Sequence, residues 1–369
     1  MPPRLRVARG NSVAARIEDE AATRRGSHVV AAEVLATPAG LLTQASIAQN
    51  TNRLVVLLPG GFSCVRAYGA FARHLAQRCP GLGVLALGVP GLTRDAQLKI
   101  ESGVKAGAEL PSRVIPVEDH VALARAFVTE VAARNGGAKI TLIGHSTGAY
   151  VAQRLLRDCS TAVDNAVLCA PVLADMAHGP LFKRLEKHSS PAKALVGSFG
   201  VVGLLSRLSE PRQMRVVSRV VPPELVPVVM PLLRPHFAWN ALAHARNCLA
   251  AIREPDLALF AETNDRMRVM WALRDPWVAS RTVDRVEELS PLGHFVTPKQ
   301  ASSNVDEALS RSVSHTCLLR DPEASAEVVA QLLAVEAPAR RDGGGGDLAA
   351  AETESAASDE AADGPATTH

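Results

Sequence analysis

Aromatic residues are scarce in this chain, at 4% of 369 residues, and 40 basic against 37 acidic side chains leave a formal charge of only +3. That composition supplies neither a base-stacking platform nor a basic surface, so nucleic acid is not an expected partner. Metal-ligand spacings are missing too. There is no C-x-x-C and no H-E-x-x-H, and no metal or other cofactor is expected. The six cysteines (Cys64, Cys79, Cys159, Cys169, Cys248, Cys317) are scattered, several within apolar segments, which suits buried free thiols in a reducing compartment. No uncharged run reaches the length of a membrane span, and no long apolar core follows the first arginines, so neither a transmembrane helix nor a secretory signal is expected. Arg4, Arg6, Arg9 and Arg16 precede any acid, as in a transit peptide, but Glu18-Asp19-Glu20 favours a plain solvated extension.

What is abundant is apolar character, 47% of the chain, enough for one large α/β domain with an insertion or for two domains. The informative stretch is Lys139 to Tyr150, KITLIGHSTGAY, in which Gly144-His145-Ser146-Thr147-Gly148 is a G-x-S-x-G pattern. Alone it is weak, arising by chance in roughly a tenth of chains of this length. Its context strengthens it. Ile140, Leu142 and Ile143 suit a buried strand, and Ala149 to Arg157 switches to helical spacing, so the serine falls at a strand-to-helix turn. A turn that sharp needs small neighbours, which Gly144 and Gly148 supply, and it presents the serine as a nucleophile.

Around this elbow the chain alternates strands and helices. Val29 to Ala36 and Leu41 to Ala48 flank Pro38-Ala39-Gly40 as a hairpin, and Leu54 to Leu58 is an unbroken apolar strand leading into Pro59-Gly60-Gly61. A helix through Gln77, a strand at Val84 to Leu87 and a helix over Val117 to Arg134 precede the elbow; a strand at Ala166 to Cys169 follows its helix. The pattern predicts a mostly parallel sheet with helices on both faces. The next strand, Arg268 to Leu273, comes only after about ninety residues, too many for an ordinary connection. These are predicted to be an inserted helical cap, very apolar and broken into short pieces by Pro222, Pro223, Pro227, Pro231 and Pro235. Val278 to Leu289 and Ala324 to Val335 read as helices, with a weak strand in Val305 to Val313. The expected organisation is an extension over 1–27, core over 28–171, cap over 172–265, core again over 266–337, and a Gly-, Ala- and acid-rich disordered tail over 338–369.

A serine nucleophile needs a histidine to take its proton and a carboxylate to fix that histidine's tautomer, in the chain order Ser, acid, His on this kind of elbow. Asp275 follows a late strand and precedes Pro276-Trp277, whereas Asp256 and Asp265 come before that strand. Of the two later histidines, His315 is favoured over His294 because it stands between the expected last strand and the last helix. His74, His120 and His145 read as ordinary histidines. The oxyanion donors fall on the backbone N–H groups of Thr147 and Gly61, the alternative for Pro59-Gly60-Gly61 being an ordinary βα turn.

LLPGG with Tyr68 downstream, LIGHSTGAY, the MAHGP segment from Met176, DPW at Asp275 and the His315-to-helix spacing occur together. With them the chain resembles the lipid droplet-associated hydrolase family, roughly from Leu54 to Leu333. The resemblance implies a serine lipid hydrolase of capped α/β-hydrolase fold, with nucleophile Ser146, acid Asp275 and base His315. It departs from the family's pattern in a shorter loop after the third strand and in Ser314 and Thr316 around the histidine. The implied substrate is an acyl glycerol or sterol ester. The implied location is the lipid droplet or the cytoplasmic face of the endoplasmic reticulum, otherwise the cytoplasm. Ala194 to Ser206, uncharged between Lys193 and Arg207, is either a lipid-surface hairpin or interfacial helix, or a cap helix over an acyl pocket. The alternatives are acyl transfer to an alcohol on the same triad, or a lipid-droplet surface protein with little catalysis.

Overall fold

The computed structural model describes residues 31–36, 42–47, 53–61, 65–89, 92, 115–135, 137, 139–180, 183, 203–221, 226–233, 235–272, 275–289, 294–296 and 314–334. The expectations for 1–27, for 338–369, for most of Ala194 to Ser206 and for a strand in Val305 to Val313 lie outside these residues.

Eight described strands form one sheet in the order β1-β2-β4-β3-β5-β6-β7-β8. β1 (Ala31–Ala36) and β2 (Leu42–Ile47) are the antiparallel hairpin that the Pro-Ala-Gly turn predicts, and β2 also runs antiparallel to β4 (Leu82–Ala86). From β4 onward every neighbour is parallel: β3 (Arg53–Leu58), β5 (Ile140–His145), β6 (Val163–Cys169), β7 (Met267–Met270) and β8 (His294–Val296).

Helices cover both faces because the strands are apolar on both. Along β3, Leu54, Val56 and Leu58 enter one buried cluster, with Val121, Ala124 and Val128 of α2 (Val117–Arg134) and Val151 and Leu155 of α3 (Thr147–Asp158). Val55 and Leu57 point the other way, toward Phe71 and Leu75 of α1 (Gly69–Arg78). This is the period-2 alternation of a strand, and each such side chain contributes roughly 1.5–3 kcal/mol when fully buried.

Between β6 and β7 the chain leaves the sheet through α4 (Glu210–Val220), α5 (Val226–Leu232), α6 (Pro235–Ala251) and α7 (Leu257–Thr263), and returns to the strand next door. Pro231 sits inside the 7-residue α5 and Pro235 opens α6. α6 runs for 17 residues because no proline follows until Pro255, so this helix is longer than the short pieces expected. Asp256 caps α7, its carboxylate accepting the Leu259 N–H at 3.1 Å, the bland role for an acid ahead of a strand.

β7 ends at Met270, shorter than RVMWAL suggests. It is followed by α8 (Ser280–Leu289), β8, α9 (Cys317–Arg320) and α10 (Pro322–Ala334), whose Val328 and Val329 close the cluster beneath α1. The strand after α8 contains His294, a position the sequence had not assigned to the sheet. All these elements belong to the first of the chain's two units, Met1–Glu336.

Candidate active site

At the carboxyl end of β5 the chain turns into α3 within one residue, and that residue is Ser146, with φ 54° and ψ −123°. A positive φ is costly for a residue with a Cβ, and it persists here because both sides of the turn are locked. Ser146 N–H donates to the Cys169 carbonyl at 3.1 Å, and its own carbonyl accepts from Ala149 N–H at 3.0 Å and Val172 N–H at 3.2 Å. The flanking glycines are demanded by close approach. A Cβ on Gly144 would lie 2.5 Å from Ala149 Cα, and one on Gly148 would run into the carbonyl of Leu58 on the neighbouring strand.

Beside the serine, His315 Nε2 stands 2.8 Å from Ser146 Oγ, and His315 Nδ1 stands 2.7 Å from Asp275 Oδ2. A carboxylate only accepts, so Nδ1 carries the proton and Nε2 offers its lone pair to the serine hydroxyl. Ser146 and His315 are buried, and the Asp275 side chain is 7% exposed. The other oxygen of Asp275 accepts the Trp277 N–H at 2.8 Å, which ties the carboxylate into the DPW turn, and the Trp277 ring lies 5.6 Å from the His315 ring. Gly179 of MAHGP packs against the Trp277 backbone so closely that a Cβ would collide with its carbonyl. Those two motifs are therefore one packed corner.

The loop after β3 approaches from the other side. Gly60 is so near that a Cβ would meet Ser146 Cβ at 3.0 Å and His145 Nδ1 at 3.2 Å. At Gly61 the space of a side chain is filled by the His244 ring from α6, while Thr147 Oγ1 lies 3.2 Å from the same point. Thr147 opens α3, where backbone N–H groups have no partner within the helix. The structure thus gathers Ser146, Asp275, His315, Gly61 and Thr147 in one place. His294 lies in β8, opposite Arg268 of β7.

Three further histidines lie near this centre: His120 and His145, which the sequence presents as ordinary histidines, and His244, which no catalytic motif singles out. His145 bridges Tyr68 and His315. His244 Nε2 is 3.4 Å from Cys248 Sγ, and its ring packs edge-on toward that of His120, with centroids 6.4 Å apart. The only sequence sign of His244 is a His-x-x-x-Cys spacing on α6. Loss of hydration pushes the pKa of His120 and of His145 down to about 3 and that of His244 to about 4, with the neighbouring His244 and His315 adding to the first two. All three rings are therefore neutral in the folded protein.

Stability against pH follows from that. The unfolded chain takes up these protons near pH 6.5 and the folded chain only near 3 to 4, so the contribution of these three rings to stability is full above about 6.5 and is lost as pH drops through this window. The expected result is an unfolding free energy that declines steadily from about pH 6.5 to 4, by several kcal/mol, read by urea unfolding at a series of pH values.

Among the five described cysteines all are free, and Cys159, Cys169, Cys248 and Cys317 are buried. Burial pushes the Cys248 and Cys317 thiols up to about 12, so neither is a nucleophile at neutral pH. Among the described residues no cluster of His, Cys, Asp or Glu could hold a metal, and no helix is long and apolar enough to cross a membrane.

Comparison with known proteins places the fold of this chain among α/β-hydrolases. A family model described as lipid-droplet associated hydrolase matches residues 51–308, a span that holds Gly61, Ser146, Thr147 and Asp275 and ends before His315. Among curated proteins no significant match was found. Of the solved structures, a membrane phospholipase A, titled a bacterial virulence factor, is similar at 16% identity, 85% of this chain, 89% of that chain and TM-score 0.57. An N-formylmaleamic acid deformylase from Pseudomonas putida is similar at 14% identity, 81% and 99% coverage and TM-score 0.54. A serine hydrolase involved in carbazole degradation is similar at 13% identity, 84% and 100% coverage and TM-score 0.51. These likenesses establish the α/β-hydrolase fold.

Proposed function

The chain belongs to the lipid-droplet associated hydrolase family, and from that premise we propose that it is a serine esterase or lipase whose Ser146, His315 and Asp275 cleave a lipid carboxylic ester. The observation that carries this reading is the continuous pair of contacts, 2.8 Å and 2.7 Å, from Ser146 Oγ through His315 to Asp275.

In this mechanism Ser146 Oγ attacks the ester carbonyl carbon while its proton passes to His315 Nε2. Asp275 keeps the ring in the accepting tautomer and stabilises the imidazolium that forms. The carbonyl oxygen becomes an oxyanion facing the N–H groups of Thr147 and Gly61; Gly60 N–H is already committed to Tyr68 Oη at 3.0 Å, so the loop's donor is the next residue. Each such donor lowers the barrier by about 3 kcal/mol. The tetrahedral intermediate then expels the alcohol, which takes the proton from His315, and leaves an acyl-Ser146. Water attacks that ester, gives its proton to His315, and the proton returns to Ser146 as the carboxylic acid leaves. No cofactor enters any step.

The substrate we favour is an acyl glycerol or sterol ester met at a lipid droplet or membrane surface. Support comes from the cap, where Leu204 is 65% and Val220 77% exposed and, along the same stretch of sequence, Arg207, Arg212, Arg215 and Arg219 are exposed as well. Apolar side chains flanked by arginines suit a lipid surface with polar headgroups.

Fluorophosphonate labelling of wild type and Ser146→Ala tests the chemistry, and hydrolysis of emulsified triacylglycerol against a soluble short-chain ester tests the substrate. Stoichiometric labelling that vanishes in Ser146→Ala, with turnover rising when the lipid is emulsified, is the expected result. A folded wild type that resists the probe removes the reading and leaves a lipid-surface protein. Preferential transfer to an added sterol or glycerol identifies an acyltransferase.

A further inference from the structure

His145 precedes the nucleophile and is 2% exposed, a burial that an imidazole tolerates only if its polar atoms are satisfied. Its Nε2 lies 2.7 Å from the backbone carbonyl of His315. A carbonyl only accepts, so Nε2 must carry the ring proton. The ring is neutral, which leaves Nδ1 with a lone pair, and Tyr68 Oη stands 2.7 Å from it. The Tyr68 hydroxyl must therefore donate to Nδ1, and its own oxygen accepts the Gly60 N–H at 3.0 Å. Every group thus has a defined direction: Gly60 N–H to Tyr68 Oη, Tyr68 O–H to His145 Nδ1, His145 Nε2–H to His315 O. The Tyr68 and His145 rings meet edge-on at 5.6 Å, and Tyr68 is 1% exposed, so no water competes for these bonds.

The ends of this chain of bonds give it meaning. One end is the loop after β3 that lies against Ser146; the other is the main chain of the residue that accepts the serine proton. The middle is the residue bonded covalently to the nucleophile. His315 itself sits on the short turn before α9 rather than in a helix or strand, so its backbone depends on such a tether. Resting on the serine-hydrolase reading, we infer that Tyr68 and His145 are positioning residues, holding the oxyanion loop, the nucleophile elbow and the backbone of His315 in one register.

Neither touches the reacting atoms, so their effect is on how often His315 Nε2 is within reach of Ser146 Oγ. A misplacement of about 1 Å at a reacting centre costs on the order of 10²-fold in rate. A stabilising core network alone would instead lower the melting temperature and leave turnover per folded molecule unchanged.

The test uses Tyr68→Phe, which keeps the ring and removes the hydroxyl, with His145→Leu and His145→Gln, the last of which retains a donor toward His315 O. Steady-state kinetics on a soluble short-chain ester and the rate of fluorophosphonate labelling are measured beside thermal unfolding. In Tyr68→Phe, kcat and the labelling rate are expected to fall together by roughly ten- to a hundred-fold, with KM within about two-fold of wild type. His145→Gln is expected to recover part of what His145→Leu loses. Wild-type kcat and labelling in folded Tyr68→Phe and His145→Leu overturn the proposal. Should the variants not fold, ¹⁵N NMR of wild-type His145 decides, since a neutral Nε2–H tautomer between about pH 5 and 8 is required and an Nδ1–H or doubly protonated ring overturns the relay. Absence of Ser146 labelling in the wild type itself overturns the serine-hydrolase reading first, and the positioning role with it.

Discussion

Replacing His315 with alanine is expected to lower kcat on a soluble ester by on the order of 10⁶-fold, while replacing His294 leaves it within about two-fold. The difference rests on position. His315 Nε2 is 2.8 Å from Ser146 Oγ, whereas His294 opens β8, which is separated from the serine-bearing β5 by two intervening strands. Three strand spacings amount to about 14 Å. His294 also pairs with Arg268, near the start of β7, and the elbow lies at the opposite, carboxyl end of the parallel strands. The double variant Ser146→Ala with His315→Ala should be no worse than either single change, because nucleophile and base act as one unit. Circular dichroism confirms that each variant is folded; equal losses in the His294 and His315 variants would overturn the assignment of the base.

Asp275→Asn is the second large effect, about 10⁴-fold in kcat with little change in stability. The amide fits the same space, and its oxygen can keep the bond to Trp277 N–H that the carboxylate accepts at 2.8 Å. Its NH₂ group, placed at the oxygen now 2.7 Å from His315 Nδ1, donates to that nitrogen. The imidazole then shifts its proton to Nε2, where it can no longer accept from Ser146. Retained folding with slow labelling by fluorophosphonate identifies this as a tautomer effect, and a wild-type labelling rate would show that Asp275 does not orient His315.

Much of the fold and of the candidate site was legible because it is local. Apolar runs broken by Pro and Gly marked β3, β5 and the opening hairpin, and the helical spacing of Val117 to Arg134 matched α2 at both ends. Ser146 was legible for the same reason, since the strain of its turn falls on its own neighbours, Gly144 and Gly148. Asp275 could be found from the strand before it. His315 is marked in the sequence only by an expected strand in Val305 to Val313, which lies outside the described residues, while the last described strand is His294–Val296.

Tyr68, His145 and His244 show where that reasoning stops. His145 was read as a bystander and Tyr68 only as part of a resemblance, yet the bonds that join them and His315 span 77 and 170 residues. His244 reaches Gly61 from a helix whose place over the sheet no spacing announces. The alternating α/β pattern, the elbow and its serine are local properties, because hydrophobic period and turn sterics are written in adjacent residues. Packing between distant segments sets which histidine meets the serine, which one is tethered beside it and which lies over Gly61 in the loop after β3. A hydrogen bond depends on distances of a few tenths of an ångström between groups far apart in the chain, and packing alone sets those.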